Sequence, residues 1–134
     1  MKNKKTGRVV LITGESSGFG LEMAKLFLAN GDMVCGFSNQ EFHMDGIYHQ
    51  MGDVSKEEDC NRAVSNVVDK YGRIDVLMNN AGFGIFGPFE ETPLEKAKKQ
   101  VDVSFFGAFL MAKAVLPYMR KAMGGKIINT SSIG

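Results

Sequence analysis

Glycine and small polar residues are concentrated near the start of the chain, at the point where an apolar run ends. Val9–Ile12 is followed by Thr13–Gly20, which reads TGESSGFG, and a helical pattern begins at Leu21. Glycines let the backbone approach a ligand closely, and the free N–H groups and positive dipole end at a helix start suit a phosphate group. The spacing Gly-x-x-x-Gly-x-Gly therefore predicts a cradle for a pyrophosphate, with an ordinary tight turn as the alternative.

Polar residues also follow each of the other predicted strands. They are Ser38-Asn39 after strand two, Asp53-Val54 after strand three, Asn80-Ala81-Gly82 after strand four and Ser131-Ser132 after strand five. In a parallel sheet, ligands bind beyond the carboxyl ends of the strands, near the point where the strand order reverses. These residue types dominate turns in any protein, but five such strand ends predict one shared ligand site better than five unrelated turns.

The elements that would position these residues alternate between strand and helix. Helical periodicity covers about 21–29, and two further helical patterns follow predicted capping boxes at 55–58 and 92–95. Pro117 lies inside the last of these patterns and predicts either a kink or an end to regular helical hydrogen bonding there. Apolar runs of strand length separate the helices, and the order β-α-β-β-α-β-α-β predicts a doubly wound parallel sheet in one α/β domain over residues 1–134.

Composition limits the classes of function. The chain has 134 residues, a net charge of +1 and 44% apolar residues, so it can bury a core and offers no electrostatic attraction to nucleic acid or an acidic membrane. No apolar segment approaches the roughly 20 residues of a membrane span, and no secretory signal is recognisable. We therefore expect a cytoplasmic protein.

Cys35 and Cys60 are predicted to be buried free thiols, and His43 and His49 to be surface residues rather than metal ligands.

Four groups of residues together resemble the motifs of the short-chain dehydrogenase/reductase family, in order and in spacing, over essentially the whole chain. The groups are Thr13–Gly20, Asp53-Val54, Asn79–Gly82 and Asn129–Ser132. The resemblance implies a Rossmann-type fold with strand order 3-2-1-4-5 and a bound NAD or NADP. It implies a pyrophosphate on the glycine turn and an adenine amino group on Asp53. The candidate cofactor-binding residues are Gly14, Ser16, Ser17, Gly18, Phe19, Gly20, Ser38, Asn39, Asp53, Val54, Asn80, Ala81 and Gly82.

The same resemblance implies hydride transfer between the nicotinamide and the carbon of an alcohol or carbonyl substrate. In the family a Tyr acts as acid/base with a Lys four residues on, a Ser holds the substrate oxygen, and an Asn anchors a proton-relay water. Ser132 matches the substrate-holding Ser, with an ordinary strand-end hydroxyl as the alternative. Ser104 stands where the family has Asn, and its hydroxyl lacks the separate donor and acceptor atoms of an amide.

The acid/base pair has no counterpart in these 134 residues. None of the three tyrosines, Tyr48, Tyr71 and Tyr118, has a lysine four residues on, and the pair is expected about a dozen residues after Ser132. We therefore expect a domain that is incomplete at its C-terminus and no useful dehydrogenase activity from this chain alone. The alternatives are a non-catalytic dinucleotide-binding module, a self-assembling module that pairs through an exposed fifth strand, and an inert fragment.

The residues at the end of strand two bear on the choice between NAD and NADP. The end of strand two, Phe37–Asn39, contains no acid to bind the ribose hydroxyls, which favours NADP over NAD. No arginine is present there to pair a 2′-phosphate, and Glu15 in the glycine turn would repel one. The substrate is expected to be a small alcohol or carbonyl compound, which the sequence does not specify further.

Overall fold

The computed structural model describes residues 7–82 and 89–130, and these form one five-stranded sheet. All strand pairings are parallel, and the strands lie in the order 3-2-1-4-5. The strands are β1 (Val9–Thr13), β2 (Met33–Ser38), β3 (Ile47–Met51), β4 (Val76–Asn79) and β5 (Lys126–Asn129). The predicted fold class and strand order are confirmed.

Helices cover both faces of the sheet. Alternate residues of β1 point to opposite faces, so Val9 and Leu11 pack in a cluster with α2 and α4, whereas Val10 and Ile12 pack under α1. β1 is buried at every residue because it is the central strand. The helices are α1 (Gly18–Ala29), α2 (Glu57–Tyr71), α3 (Leu94–Val101) and α4 (Gly107–Lys121), with a 3-10 turn at Phe89–Glu91 and a π-helical segment at Asp102–Phe106.

The two predicted capping boxes differ from the helix starts in the structure. α2 begins after Lys56, which makes no side-chain cap hydrogen bond. Ser55 does not cap this helix, because its hydroxyl donates to the carboxylate of Asp53 at 2.7 Å. The capping box predicted at 92–95 requires Thr92 as the N-cap residue, whereas the N-cap residue of α3 is Pro93. Both helices therefore begin near the predicted positions, but in each the N-cap residue is one position later than the capping box predicts.

The two cysteines are buried free thiols, as predicted. Cys35 lies on β2 and Cys60 on α2, and both belong to the larger core cluster. Burial raises the pKa of each thiol to about 12. Both thiols therefore stay protonated at neutral pH and act as small apolar core residues.

The segment from α3 to α4 is the longest helical stretch that the structure describes. Leu94–Lys121 spans 28 residues with an 18-residue window of mean hydropathy 1.4, so by length and composition it could cross a membrane. The prediction that no segment approaches this length is wrong. Only 17% of that window is buried, although Met111, Val115 and Met119 of this segment pack in the core, and a single such helix is weak evidence for a membrane span. The helix therefore carries little information on location, and a cytoplasmic protein stays a prediction.

Candidate functional site

The carboxyl ends of β1 to β4 surround one cleft of about 440 Å³. Twelve of the thirteen predicted cofactor-binding residues line it, and the thirteenth, Gly20, lies just behind the wall at the first turn of α1. Four lining residues were not predicted, namely Gln40, Gly52, Lys99 and Val103. The structure thus brings the predicted residues together, while their contacts with a cofactor stay a prediction.

The glycine turn forms the floor of this cleft. Gly14 and Gly18 have φ of +72° and +59°, the left-handed region that disfavours side chains. At Gly20, a Cβ would lie only 2.3 Å from the carbonyl oxygen of Gly14. Ser17 at the N-cap of α1 makes no side-chain cap hydrogen bond, and the first turn carries no acid. The turn therefore presents helix N–H groups and a positive dipole end to the cleft, as an anionic diphosphate requires.

The end of β4 is fixed directly to the end of β1. The hydroxyl oxygen of Thr13 accepts hydrogen bonds from the backbone N–H groups of Asn80 and Ala81, both at 2.9 Å. The side-chain amide of Asn80 donates to the carbonyl of Gly14 at 3.3 Å. Thr13 belongs to the glycine-turn motif but is not among the predicted site residues. Its hydroxyl holds the two turns of the cleft in register.

Asp53 forms the wall of the cleft after β3. Its carboxylate accepts hydrogen bonds from the backbone N–H and the hydroxyl of Ser55, at 2.9 and 2.7 Å. Burial raises the pKa of Asp53, but these hydrogen bonds and the charges of Lys99 and Lys56 outweigh it, so the pKa is lowered. Asp53 is therefore ionised at neutral pH and can accept a hydrogen bond from an amino group. Next to it, buried Val54 packs against Gly107 of α4.

The wall after β2 is polar and uncharged. Ser38 is buried at the end of the strand, and its hydroxyl donates to the carbonyl of Gln40 at 3.3 Å. The hydroxyl of Ser16, on the glycine turn, donates to the side-chain oxygen of Gln40 at the same distance. Asn39 is exposed between them. This wall can exchange hydrogen bonds with ribose hydroxyls and carries no carboxylate of its own.

The predicted catalytic residues are not assembled by the described part of the chain. Ser104 lies in the π-helical segment, exposed and close to Gly82, where a Cβ would lie 2.7 Å from its hydroxyl oxygen. π-Helical turns occur frequently at functional sites. Ser132 and Ser131 lie outside the described residues. Both catalytic assignments therefore stay predictions.

Glu15 is expected to face the cleft from the glycine turn and His49 to lie at the surface, but the structure places both side chains in the interior. Glu15 is fully buried and is absent from the cleft wall, and burial raises the pKa of its carboxyl group. Its Oε2 lies 2.5 Å from Nδ1 of His49, whose side chain is only 11% exposed. The prediction of a surface histidine is wrong for His49, because a carboxyl group from another element covers it. His43 is 87% exposed, as predicted.

Comparison with known proteins places these features in a family. The family model described as short chain dehydrogenase matches residues 8–134. A 3-ketodihydrosphingosine reductase of Bacteroides thetaiotaomicron is 44% identical over 95% of this chain and 48% of its own length. A 2-(R)-hydroxypropyl-CoM dehydrogenase of Xanthobacter autotrophicus is 36% identical over 94% of this chain and 56% of its own length.

Solved structures show the same similarity. An aldohexose dehydrogenase of Thermoplasma acidophilum, in ligand-free form, superposes with a TM-score of 0.89 at 30% identity, over 95% of this chain and 50% of the other. A 3-ketoacyl-(acyl-carrier-protein) reductase of Brucella melitensis complexed with NADH gives 0.88 at 32% identity, over 95% and 58%. The chain thus spans about half the length of the relatives that it matches. It belongs to the short-chain dehydrogenase family.

Proposed function

We propose that these 134 residues form the dinucleotide-binding part of an NAD(P)-dependent oxidoreductase that acts on an alcohol or carbonyl compound. The observation that carries this proposal is the glycine cradle at the start of α1. There a Cβ at Gly20 would collide with backbone, and helix N–H groups face an open cleft. The cradle fits a diphosphate, and the polar walls on either side fit its two nucleosides.

The residues of the cleft divide the binding among them. The turn at Gly18–Gly20 would hold the pyrophosphate, the ionised Asp53 would accept from the adenine amino group, and Ser38 would face a ribose. The turn at 80–82 would lie along the nicotinamide half. Lys99 on the α3 wall adds positive charge, which suits an anionic ligand. A bound nicotinamide supplies the hydride acceptor or donor.

Turnover requires groups that this chain does not contain at the family's spacing. We propose that Ser132 holds the substrate oxygen and that Ser104 occupies the relay position, but no tyrosine here has a lysine four residues on. Positioned proton transfer contributes about 10²–10⁴-fold to a rate. The isolated chain should therefore bind nucleotide without useful turnover. The name of the 44% identical relative makes 3-ketodihydrosphingosine the first substrate to test with any longer form of the protein.

We propose NADP as the preferred cofactor. The end of β2 offers the hydroxyl of Ser38 rather than a carboxylate to the ribose. Glu15, which could repel a 2′-phosphate, lies buried against His49. Both features favour a 2′-phosphorylated ribose over one that needs an acid as its hydrogen-bond partner.

Thermal unfolding with and without nucleotide tests the proposal. A ligand that binds only the folded state at 100 times its Kd stabilises it by about 2.7 kcal/mol, which raises the midpoint by roughly 5 °C or more in a domain of this size. We expect such a rise with NADP and a smaller one with NAD at equal concentration. Adenosine, which lacks the diphosphate, is the control ligand. No rise with either dinucleotide would overturn the proposal.

A second proposal concerns assembly, and a different observation favours it. Phe105 and Phe109 are 66% and 57% exposed along the outer side of the α3–α4 segment, and Leu116 continues the same apolar surface. Large exposed apolar surfaces mark interaction sites. We propose that the 134-residue chain self-associates through this helical face. Light scattering should give a mass above 14.7 kDa that falls to the monomer value in a Phe105→Ser/Phe109→Ser double variant; a wild-type monomer at high concentration would contradict it.

A further inference from the structure

A buried pair of side chains lies beneath the adenosine side of the cleft and spans three elements. The side chain of Glu15 passes over Gly36 of β2, where a Cβ would lie 1.9 Å from its Oε2. It reaches His49 of β3, which is the register partner of Gly36. The missing side chain at Gly36 is therefore what allows the carboxyl group to cross the intervening strand and meet the imidazole.

The hydrogen bonds of His49 fix how many protons the pair holds. Its Nε2 lies 2.9 Å from the carbonyl oxygen of Gln40, and a carbonyl oxygen can only accept, so Nε2 carries a hydrogen. One further proton is then shared between Nδ1 of His49 and Oε2 of Glu15. Whether it rests on nitrogen or oxygen, the pair has no net charge. The buried carboxyl group thus adds no net negative charge beneath the cleft.

The pair is connected to the cleft wall through one residue. Besides His49, the carbonyl of Gln40 accepts from the hydroxyl of Ser38 at 3.3 Å, and the side-chain oxygen of Gln40 accepts from the hydroxyl of Ser16. All three of these residues line the cleft at the end of β2. Through Gln40, the pair therefore fixes the turn that the proposed function places next to the adenosine ribose.

We infer that His49 is a positioning residue that, through its contacts with Gln40 and Glu15, sets the preference of the cleft for a 2′-phosphorylated dinucleotide over an unphosphorylated one. The inference rests on the proposed function. The imidazole holds the turn after β2 through Gln40 and neutralises the carboxyl group below it. Removing the imidazole loosens this turn and leaves Glu15 without its partner. The loosened turn and the unpartnered carboxyl group of Glu15 both lie on the side of the cleft proposed for the 2′ position of the ribose. Both weaken binding of a 2′-phosphate more than binding of a 2′-hydroxyl.

The test measures Kd for NADP and for NAD by calorimetry in matched variants. For His49→Ala we expect the NADP Kd to rise by about 10-fold or more and the NAD Kd by no more than about 3-fold. Glu15→Gln removes the charge but keeps a hydrogen bond to the imidazole, so both values should stay within about 3-fold of wild type. His43→Ala, an exposed histidine with an ion pair to Asp45, is the control and should change neither.

Further outcomes separate this inference from the proposed function. If His49→Ala does not fold, His49→Phe, which fills the space of the imidazole but has no polar atom to bridge Glu15 and Gln40, should give the same change in the ratio of the two Kd values. A ratio that stays at the wild-type value in the folded His49 variant overturns the inference and leaves the proposed function standing. A wild-type chain that binds neither dinucleotide overturns both.

Discussion

The two halves of the cleft are built differently. On the side of β2 and β3, buried and half-buried polar groups fix the walls, through the Glu15–His49 pair and through the hydrogen bonds of Ser55 to Asp53. On the side of β4, Ser104 stands exposed on a π-helical segment beside Gly82. The first half is assembled by contacts among the ends of β1, β2 and β3, all within the described residues. Of the proposed catalytic residues, the second half offers Ser104 alone among the described residues, so under the proposed function nucleotide binding and hydride chemistry would use separate parts of the fold.

The largest expected effect comes from the cradle that joins the two halves. A Gly20→Ala substitution places a Cβ 2.3 Å from the carbonyl of Gly14 and 2.4 Å from the side-chain nitrogen of Asn80. Overpacking of this kind costs about 1–3 kcal/mol, and it shifts both turns. We expect the Kd for NADP to rise by about 100-fold in calorimetry, with a lower unfolding midpoint.

Gly124→Ala is the matched control for this substitution, since among the described residues no atom beyond the two chain neighbours lies within 4 Å of a Cβ at Gly124. It should leave the Kd for NADP unchanged. A Gly20→Ala chain that binds as tightly as wild type would show that the cradle does not hold the ligand.

A smaller effect is expected on the first half alone. Asp53→Asn keeps an acceptor for the Ser55 N–H but replaces an ionised acceptor for the adenine by an amide oxygen. A hydrogen bond to a charged group exceeds a neutral one by about 1 kcal/mol, so we expect the Kd for ADP-ribose to rise about 5-fold. Asp45→Asn, at an exposed position, is the control. An unchanged Kd for Asp53→Asn would remove Asp53 from the adenine site.

Glu15 and Asp53 should also give opposite pH dependences of stability. The folded-state pKa of Asp53 is lowered, so its contribution is present above the unfolded value of about 3.9 and is lost as pH falls through the folded value. The pKa of Glu15 is raised by burial, so the folded state holds this proton more tightly and loses stability relative to the unfolded chain as pH rises from about 4.3.

Urea unfolding between pH 3 and 7 measures both slopes, each as a difference between wild type and one variant. Relative to wild type, Glu15→Gln should gain stability as pH rises, and Asp53→Asn should lose it. Equal slopes for the two variants would contradict the assigned directions of the pKa shifts.

The smallest effect is expected on the second half. Ser104→Ala removes a hydroxyl that lies beside Gly82 but does not line the described cleft. We expect the Kd for NADP to stay within about 2-fold of wild type in the calorimetric titration. A rise of 10-fold or more would make Ser104 a binding residue and would erase the contrast between the two halves.

Much of the fold followed from local sequence patterns. The alternation of apolar runs and helical periodicity predicts the parallel sheet, and the family motifs predict the strand order, because each signal lies within one element or one turn. The same holds for the clustering of twelve candidate residues in one cleft. Parallel strands bring their carboxyl ends to one edge, so a residue's position after a strand is enough to place it.

The contacts between elements could not be predicted in this way. His49 looks like a surface residue on a weak strand, because the sequence does not show that Gly36 leaves room for Glu15 to reach it. Ser55 has the spacing of a helix cap, but the nearer carboxylate of Asp53 takes its hydroxyl. Lys99 of α3 lines the cleft, although it does not follow a strand and belongs to none of the motifs. Each of these contacts depends on which side chains of other elements lie nearby in the folded structure, and a local sequence pattern does not show that.

The central claim is that this cleft holds a dinucleotide, and amide chemical shifts in a titration with NADP test it most directly. In the 134-residue chain, the largest shifts should fall on Gly14, Gly18, Gly20, Asp53 and Asn80, and should saturate together at one equivalent. The exposed face around Phe109 should stay unchanged. Saturation without shifts at the glycine turn, or no shifts at an NADP concentration well above that of the protein, would contradict the account.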